Sequence, residues 1–245
     1  MDNLPSTLIV IPARLEATRL PGKPLADIGG VPMIVRVMQQ ALKADIGPVV
    51  IAAGSPLIKE AVEKYGGRAI LTDPALPKGT DRVFAALNEV ENKDDYKYVV
   101  NIQGDMPFVD PSSVKIALNC LIQCKADMAT LAVSKEDPEA FHNPNVVKIA
   151  ASAQGAYYRA HYFSRAPIPH GEGSFFHHLG IYAFTRPALE TFVQLPLSPL
   201  EQRESLEQLR ALEHGMTITF AEVSQEALSV DTPEDLERAR ALVTR

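Results

Sequence analysis

The sequence predicts an α/β chain built on a doubly wound, mostly parallel sheet with a smaller mixed lobe, and three observations carry that reading. Residues 7–11 (TLIVI) form a short, continuously apolar, β-branched run, the pattern of a strand covered on both faces. Runs of this kind then alternate with stretches whose apolar residues recur every three or four positions. Past Met128 the apolar runs shorten and are broken by prolines and a His- and Gly-rich stretch, which predicts mixed strands in an inserted lobe.

After the first strand, Pro32 starts a helix that carries Ile34, Val37, Met38, Ala41 and Leu42 on one face. A strand at 49–53, a helix at about 57–65, a strand at 69–71, a helix at about 81–90 and a strand at 98–102 continue the alternation. In the lobe, strands are expected at 128–133, 146–150 and 179–184. A charged helix at 199–214 and a second one at 233–243 close the chain. No repeat or long linker interrupts it, so a single structural domain over 1–245 is expected. Ligands of open α/β sheets sit beyond the carboxyl ends of the strands, which directs attention to the residues after Ile11 and Ile102.

With 245 residues, 46% of them hydrophobic, the chain can bury a full core. A formal net charge of -6 provides no diffuse positive field, so nucleic acid is not an expected partner. Cys120 and Cys124 lack the second ligand pair of a zinc site and are expected to be reduced core thiols. The N-terminus has no basic region ahead of its short apolar run, which argues against a signal peptide or membrane insertion and for a cytoplasmic protein.

The segment PARLEATRLPGKPL, starting at Pro12, brings Arg14, Arg19 and Lys23 together with Pro12, Pro21, Gly22 and Pro24. The prolines exclude a regular helix and Gly22 permits close backbone approach, so three cations project near one strand end, as a phosphate chain of several negative charges requires. The alternative is a solvated basic turn paired with Glu16 and Asp27. Neither a Walker A sequence nor GxGxxG is present. Asp105 follows the strand ending at Ile102, and Asp231 follows the short apolar segment 228–230, ahead of Pro233. Two carboxylates at strand ends suit Mg²⁺ completed by phosphate oxygens and water, whereas Asp231 taken singly also suits a helix cap. Spacing alone leaves open whether the two meet.

The first loop, KGTDR (78–82), NIQGD (101–105), YFSR (162–165), HLGIY (178–182), LEQLR (206–210) and VDTPEDLE (230–237) together resemble the 3-deoxy-manno-octulosonate cytidylyltransferase family, the CMP-KDO synthetases, in order and over nearly the whole chain. The resemblance implies a nucleotide-diphospho-sugar transferase-like fold, with a substrate and dimerisation lobe at roughly 128–200 and a homodimer. It implies transfer of CMP from CTP to 3-deoxy-manno-octulosonate (KDO) with release of pyrophosphate, in lipopolysaccharide biosynthesis. By the same resemblance Asp105 and Asp231 hold Mg²⁺ and act in catalysis with Arg14 and Lys23. Ala13, Arg14, Arg19, Lys23, Thr80, Asp81 and Arg82 meet the nucleotide, while Gln103, Arg165, His178, Tyr182, Glu207 and Gln208 meet the sugar acid. Met106, Lys78 and the short stretch 170–174 depart from the family's common pattern, which keeps an 8-amino analogue of KDO open as the substrate. Sialic acid is a further alternative, and so is a non-catalytic sugar-nucleotide-binding protein.

Overall fold

A computed structural model describes residues 6–16 and 19–243; Ala17 and Thr18 of the expected phosphate loop and the first five residues of the N-terminal segment lie outside the described residues. The chain forms two compact units, Met1–Lys115 with Ala227–Arg245, and Ile116–Glu226.

In the first unit, β1 (Thr7–Ala13) is buried at every position, as its unbroken apolar run requires. A small hairpin of β2 (Asp27–Ile28) and β3 (Val31–Pro32) leads into α1 (Met33–Lys43), with Pro32 at its N-cap. β4 (Val49–Ala53), α2 (Pro56–Lys64), β5 (Arg68–Leu71), α3 (Gly79–Glu89) and β6 (Tyr98–Asn101) follow, each within a few residues of its expected place. These strands run parallel in the order β5-β4-β1-β6, so β1 and β6 present their carboxyl ends side by side.

A satellite core then fixes the loop after β1. Ile28, Met33, Val230, Leu236 and Ala239 are buried together, with Leu20, Ala26, Phe108, Leu228 and Val243 packed against them. Burying aliphatic side chains of this size stabilises by about 1.5–3 kcal/mol each. Its members come from three separated stretches of sequence, and that clamps the loop around Lys23 against the segment around Asp231.

α4 (Pro111–Cys124) straddles the division, and the second unit contains β7 (Met128–Lys135), α5 (Pro138–His142), β8 (Lys148–Gln154), β9 (Tyr157–Ser164), β10 (Phe175–Thr185), α6 (Arg186–Gln194), α7 (Pro199–Glu204), α8 (Gln208–Glu213) and β11 (Ile218–Glu222). The ladder runs β10-β7-β11-β9-β8, and β8 returns to β10 through Phe176↔Ile149 and His177↔Lys148. Two of these strands, β9 and β11, were not anticipated: YYRAHYFS mixes charge and aromatics without apolar alternation, and ITFAE is short. The chain then re-enters the first unit and ends in α9 (Pro233–Val243), at the expected residues. Cys120 and Cys124 are free; Cys120 is buried, and burial together with Cys124 pushes its thiol up to about 12 despite a 3.5 Å contact with Thr219 Oγ1.

The single helix expected over 199–214 is corrected to two. Ser205 adopts a left-handed conformation (φ 53°) and ends α7. The exposed carbonyls of this break are taken by Arg165, whose Nε donates to Glu204 O at 2.7 Å and whose Nη2 donates to Ser205 O at 3.4 Å. The Glu204 carboxylate in turn accepts from Ser164 Oγ (2.8 Å), the Arg165 backbone N–H (2.9 Å) and Tyr162 Oη (3.4 Å). Helical periodicity is continuous across the break, so nothing local in the sequence reveals it.

Candidate active site

A cavity of about 380 Å³ opens beyond β1 and β6, lined by Ala13, Arg14, Glu16, Arg19, Lys23, Gly79, Arg82, Gln103, Gly104, Asp105 and Asp231, among others. At its floor Lys23 Nζ donates to Asp105 Oδ2 at 2.7 Å and to Asp231 Oδ1 at 2.9 Å. The carboxylates meet because the Val230 N–H donates to the Asp105 carbonyl at 2.9 Å, which pins the two chain segments together immediately before Asp231. That corrects the expected setting of Asp231: residues 228–230 form no strand, and the satellite core together with this backbone hydrogen bond does the positioning. Nor is Asp231 the helix cap. Thr232 Oγ1 accepts from the Asp235 N–H while Asp235 Oδ2 accepts from the N–H groups of Asp231 and Thr232, a reciprocal cap that leaves the Asp231 carboxylate to the cavity.

Two glycines make this geometry possible. Gly22 turns the loop at φ 69°, directly ahead of Lys23. A Cβ at Gly104 would stand 2.8 Å from the Pro12 carbonyl, so the chain entering Asp105 passes β1 where only glycine fits. Burial alone would lower the Lys23 ammonium's pKa, but attraction and hydrogen bonds from Asp105 and Asp231 raise it above its ordinary value. The side chain is therefore charged. Arg19 lies farther off, with Nη2 3.6 Å from Asp231 Oδ1, and is exposed, as is Arg14. Asp27, considered as a partner for these cations, instead accepts from the Gly30 N–H in the β2–β3 turn.

α3 aims its N-terminus at the cavity. Its N-cap, Lys78, offers no side-chain cap, and the Gly79 backbone lines the opening, so the dipole and first N–H groups of the helix favour an anion there. Thr80 is buried and Asp81 half-buried in this first turn. Arg82 lines the cavity as well and is held in place by the neighbouring loop. Its Nη1 donates to Thr72 Oγ1 (2.6 Å) and Asp73 O (3.0 Å), and its Nη2 to Pro74 O (3.3 Å) and Leu76 O (3.5 Å). Burial, and then the nearby Arg14 charge, lowers its pKa. Arg82 thus shapes the cavity wall through the 72–76 loop, and Thr72, which sequence reasoning missed, is its anchor. Gln103 lines the same cavity, its Nε2 donating to Asn101 Oδ1 at 3.4 Å.

The second unit holds the other expected residues. The HLGIY stretch lies where the β10–β7 register shifts between Leu179 and Ala183. Thr130, another residue without a sequence signal beyond one hydroxyl in an apolar run, repairs this irregularity, with Oγ1 2.9 Å from Leu179 O and 2.8 Å from Ile181 O. Because that hydroxyl donates to a carbonyl, its oxygen accepts from His178 Nε2 at 3.0 Å, which leaves His178 Nδ1 as an acceptor. Tyr182 is buried against His178, and burial with the Glu207 charge raises its phenol well above the ordinary value, so it is a neutral donor. Gln208 is buried, and its Nε2 finds no partner among the described residues. Arg165, assigned to a sugar carboxylate, has its guanidinium occupied by backbone carbonyls, including Pro144 O at 2.9 Å.

Burial, and then the charge of His177, lowers the His178 pKa to about 3 from 6.5. As pH falls the unfolded chain takes up this proton first, so the stability that neutral His178 contributes is complete above about 6.5 and lost on the way to about 3. Unfolding of His178→Gln by denaturant is expected to show a shallower pH dependence across that window; an unchanged slope would show that other groups carry it.

The match to a cytidylyltransferase family model covers residues 8–218. A 3-deoxy-manno-octulosonate cytidylyltransferase of Parvibaculum lavamentivorans is 52% identical over 97% of this chain and 93% of its own length. The chain belongs to the 3-deoxy-manno-octulosonate cytidylyltransferase family. A relative of the same name from Rhodospirillum centenum is 54% identical, over 96% of this chain and 93% of its own. The solved structure of a CMP:2-keto-3-deoxy-manno-octonic acid synthetase complexed with CTP superposes with a TM-score of 0.90 at 39% identity, covering 97% of this chain and 98% of that one. This membership accounts for the sheet and for the order of the sequence blocks. Among the described residues, no helix is long and apolar enough to cross a membrane.

Proposed function

We propose that this cytidylyltransferase transfers CMP from CTP to the anomeric hydroxyl of KDO, releasing pyrophosphate for lipopolysaccharide biosynthesis. The observation that carries the nucleotide half is the convergence of Lys23, Asp105 and Asp231 beside Arg14, Arg19 and the N-terminus of α3 in one cavity. The anomeric oxygen forms a bond to the α-phosphorus as the α–β phosphoanhydride breaks, and the hydroxyl proton leaves to solvent. Such a transfer needs positioning and charge neutralisation more than covalent help. Arg14, Arg19 and Lys23 supply cations for the triphosphate, and the first turn of α3 supplies backbone donors.

The donor set fits Mg²⁺: Asp105 and Asp231 already converge on one cation, and hard Mg²⁺ takes one or two carboxylates with phosphate oxygens and water. When bound there it would polarise the α-phosphoryl group and lower the pKa of a coordinated hydroxyl. In the second unit His178, Tyr182, Glu207 and Gln208 are assigned to the sugar acid; the unpartnered Gln208 Nε2 supports the assignment of Gln208, being a buried donor that a sugar oxygen would satisfy. Arg165 is assigned to the fold of that region. Free thiols at Cys120 and Cys124 are in keeping with a cytoplasmic setting.

Pyrophosphate release with CTP, Mg²⁺ and a panel containing KDO, 8-amino-KDO and sialic acid tests the reading, with KDO expected to be turned over fastest. No release with any KDO-type acid would overturn it. A homodimer is part of the same reading, and sedimentation as a monomer at assay concentration would remove it.

A further inference from the structure

Lys23 stands where a cation would complete the Asp105–Asp231 pair. One ammonium is shared by two carboxylates from segments far apart in sequence, at 2.7 and 2.9 Å, and its side chain is only 16% exposed. Two carboxylates this close repel unless a positive charge lies between them, and here the chain provides that charge itself. Arg19 does not share the position: it reaches only Asp231, at 3.6 Å, from a side chain that is 63% exposed. Lys23 also lines the cavity with Arg14 and the α3 N-terminus, on a side chain whose compact charge ends a flexible four-carbon stem. It can therefore serve the carboxylates or a phosphate chain without moving the backbone.

We propose that Lys23 is the resident counter-ion of Asp105 and Asp231, holding the divalent-cation position until a metal–triphosphate arrives and then passing to the triphosphate oxygens. This rests on the proposed function for the identity of the triphosphate. A free divalent cation must compete with a tethered ammonium, so it binds weakly; a nucleotide gives that ammonium another partner and strengthens metal binding. By linkage the metal strengthens nucleotide binding to the same degree.

The test is titration of the unliganded protein with Mn²⁺, read from the free-ion electron paramagnetic resonance signal. Lys23→Met should bind Mn²⁺ at least about tenfold more tightly than the wild type, as expected when a competing charge leaves contact distance. Lys23→Gln, which keeps a polar side chain, should do the same if methionine perturbs the fold. Arg19→Met should change the affinity little, and Asp105→Asn added to Lys23→Met should abolish the gain. In the wild type CTP should tighten Mn²⁺ binding by a larger factor than in Lys23→Met. A gain below about threefold in both Lys23 variants, or an equal gain in Arg19→Met, overturns the proposal, since charge at contact falls off with distance and screening. Absence of pyrophosphate release by the wild type would instead overturn the proposed function and leave the Mn²⁺ result standing.

Discussion

Asp231→Asn is expected to lower the turnover of CTP and KDO by roughly 10²–10³-fold, the scale of losing one strong, preorganised electrostatic contact in an active site. The substitution removes a negative charge 2.9 Å from Lys23 Nζ and with it half of the proposed metal-binding pair. Its effect on stability should be small. The start of α9 is capped by Thr232 and Asp235, and the neighbouring chain is held by the Val230–Asp105 backbone hydrogen bond, neither of which uses the Asp231 carboxylate. Loss of turnover with a thermal midpoint near that of the wild type therefore identifies a chemical role. Asp105→Asn should behave alike, and near-normal turnover in either variant would remove that residue as a metal ligand.

Glu201→Ala is expected to destabilise the protein by about 3–5 kcal/mol, because it strips the carboxylate from a buried ion pair. Arg210 donates to Glu201 through Nε at 2.8 Å and Nη2 at 2.7 Å, with the two side chains 4% and 1% exposed. The guanidinium also lies 4.7 Å from the centroid of the Phe192 ring, so it cannot turn to solvent without giving up that packing. Much of the cost is the charge left behind, not the value of the pair. The double variant Glu201→Met/Arg210→Met should accordingly recover most of the loss. A denaturant-unfolding difference under about 1 kcal/mol for the single variant would show that Arg210 finds other compensation at this site.

The legible part of the fold was the part governed by local pattern. β1, β4, α2, β5, α3 and β6 fell within a few residues of expectation because buried parallel strands are continuous apolar runs and the helices between them are amphipathic. β9, β11 and the break at Ser205 were not legible. They depend on partners far away in sequence: β11 is held between β7 and β9, and the break is stabilised by Arg165 from β9's end. The YFSR block was informative as a family marker, yet its arginine, serine and tyrosine all serve Glu204 or the carbonyls next to it.

An α/β chain with a cationic loop after its first strand and, through its ordered blocks, membership of a sugar-acid cytidylyltransferase family can be read from the residues in order. What each charge does depends on the partners that folding brings to it. Arg82 and Lys23 are both cations near the same strand ends, but one is spent on the carbonyls of a neighbouring loop and the other sits between two aspartates. The difference is one of range: helix and strand patterns are set by neighbours a few residues away, whereas a charge answers to whatever folding places within a few ångströms. Asp105 and Asp231 are separated by more than half the chain, and the satellite core with one backbone hydrogen bond makes them a site.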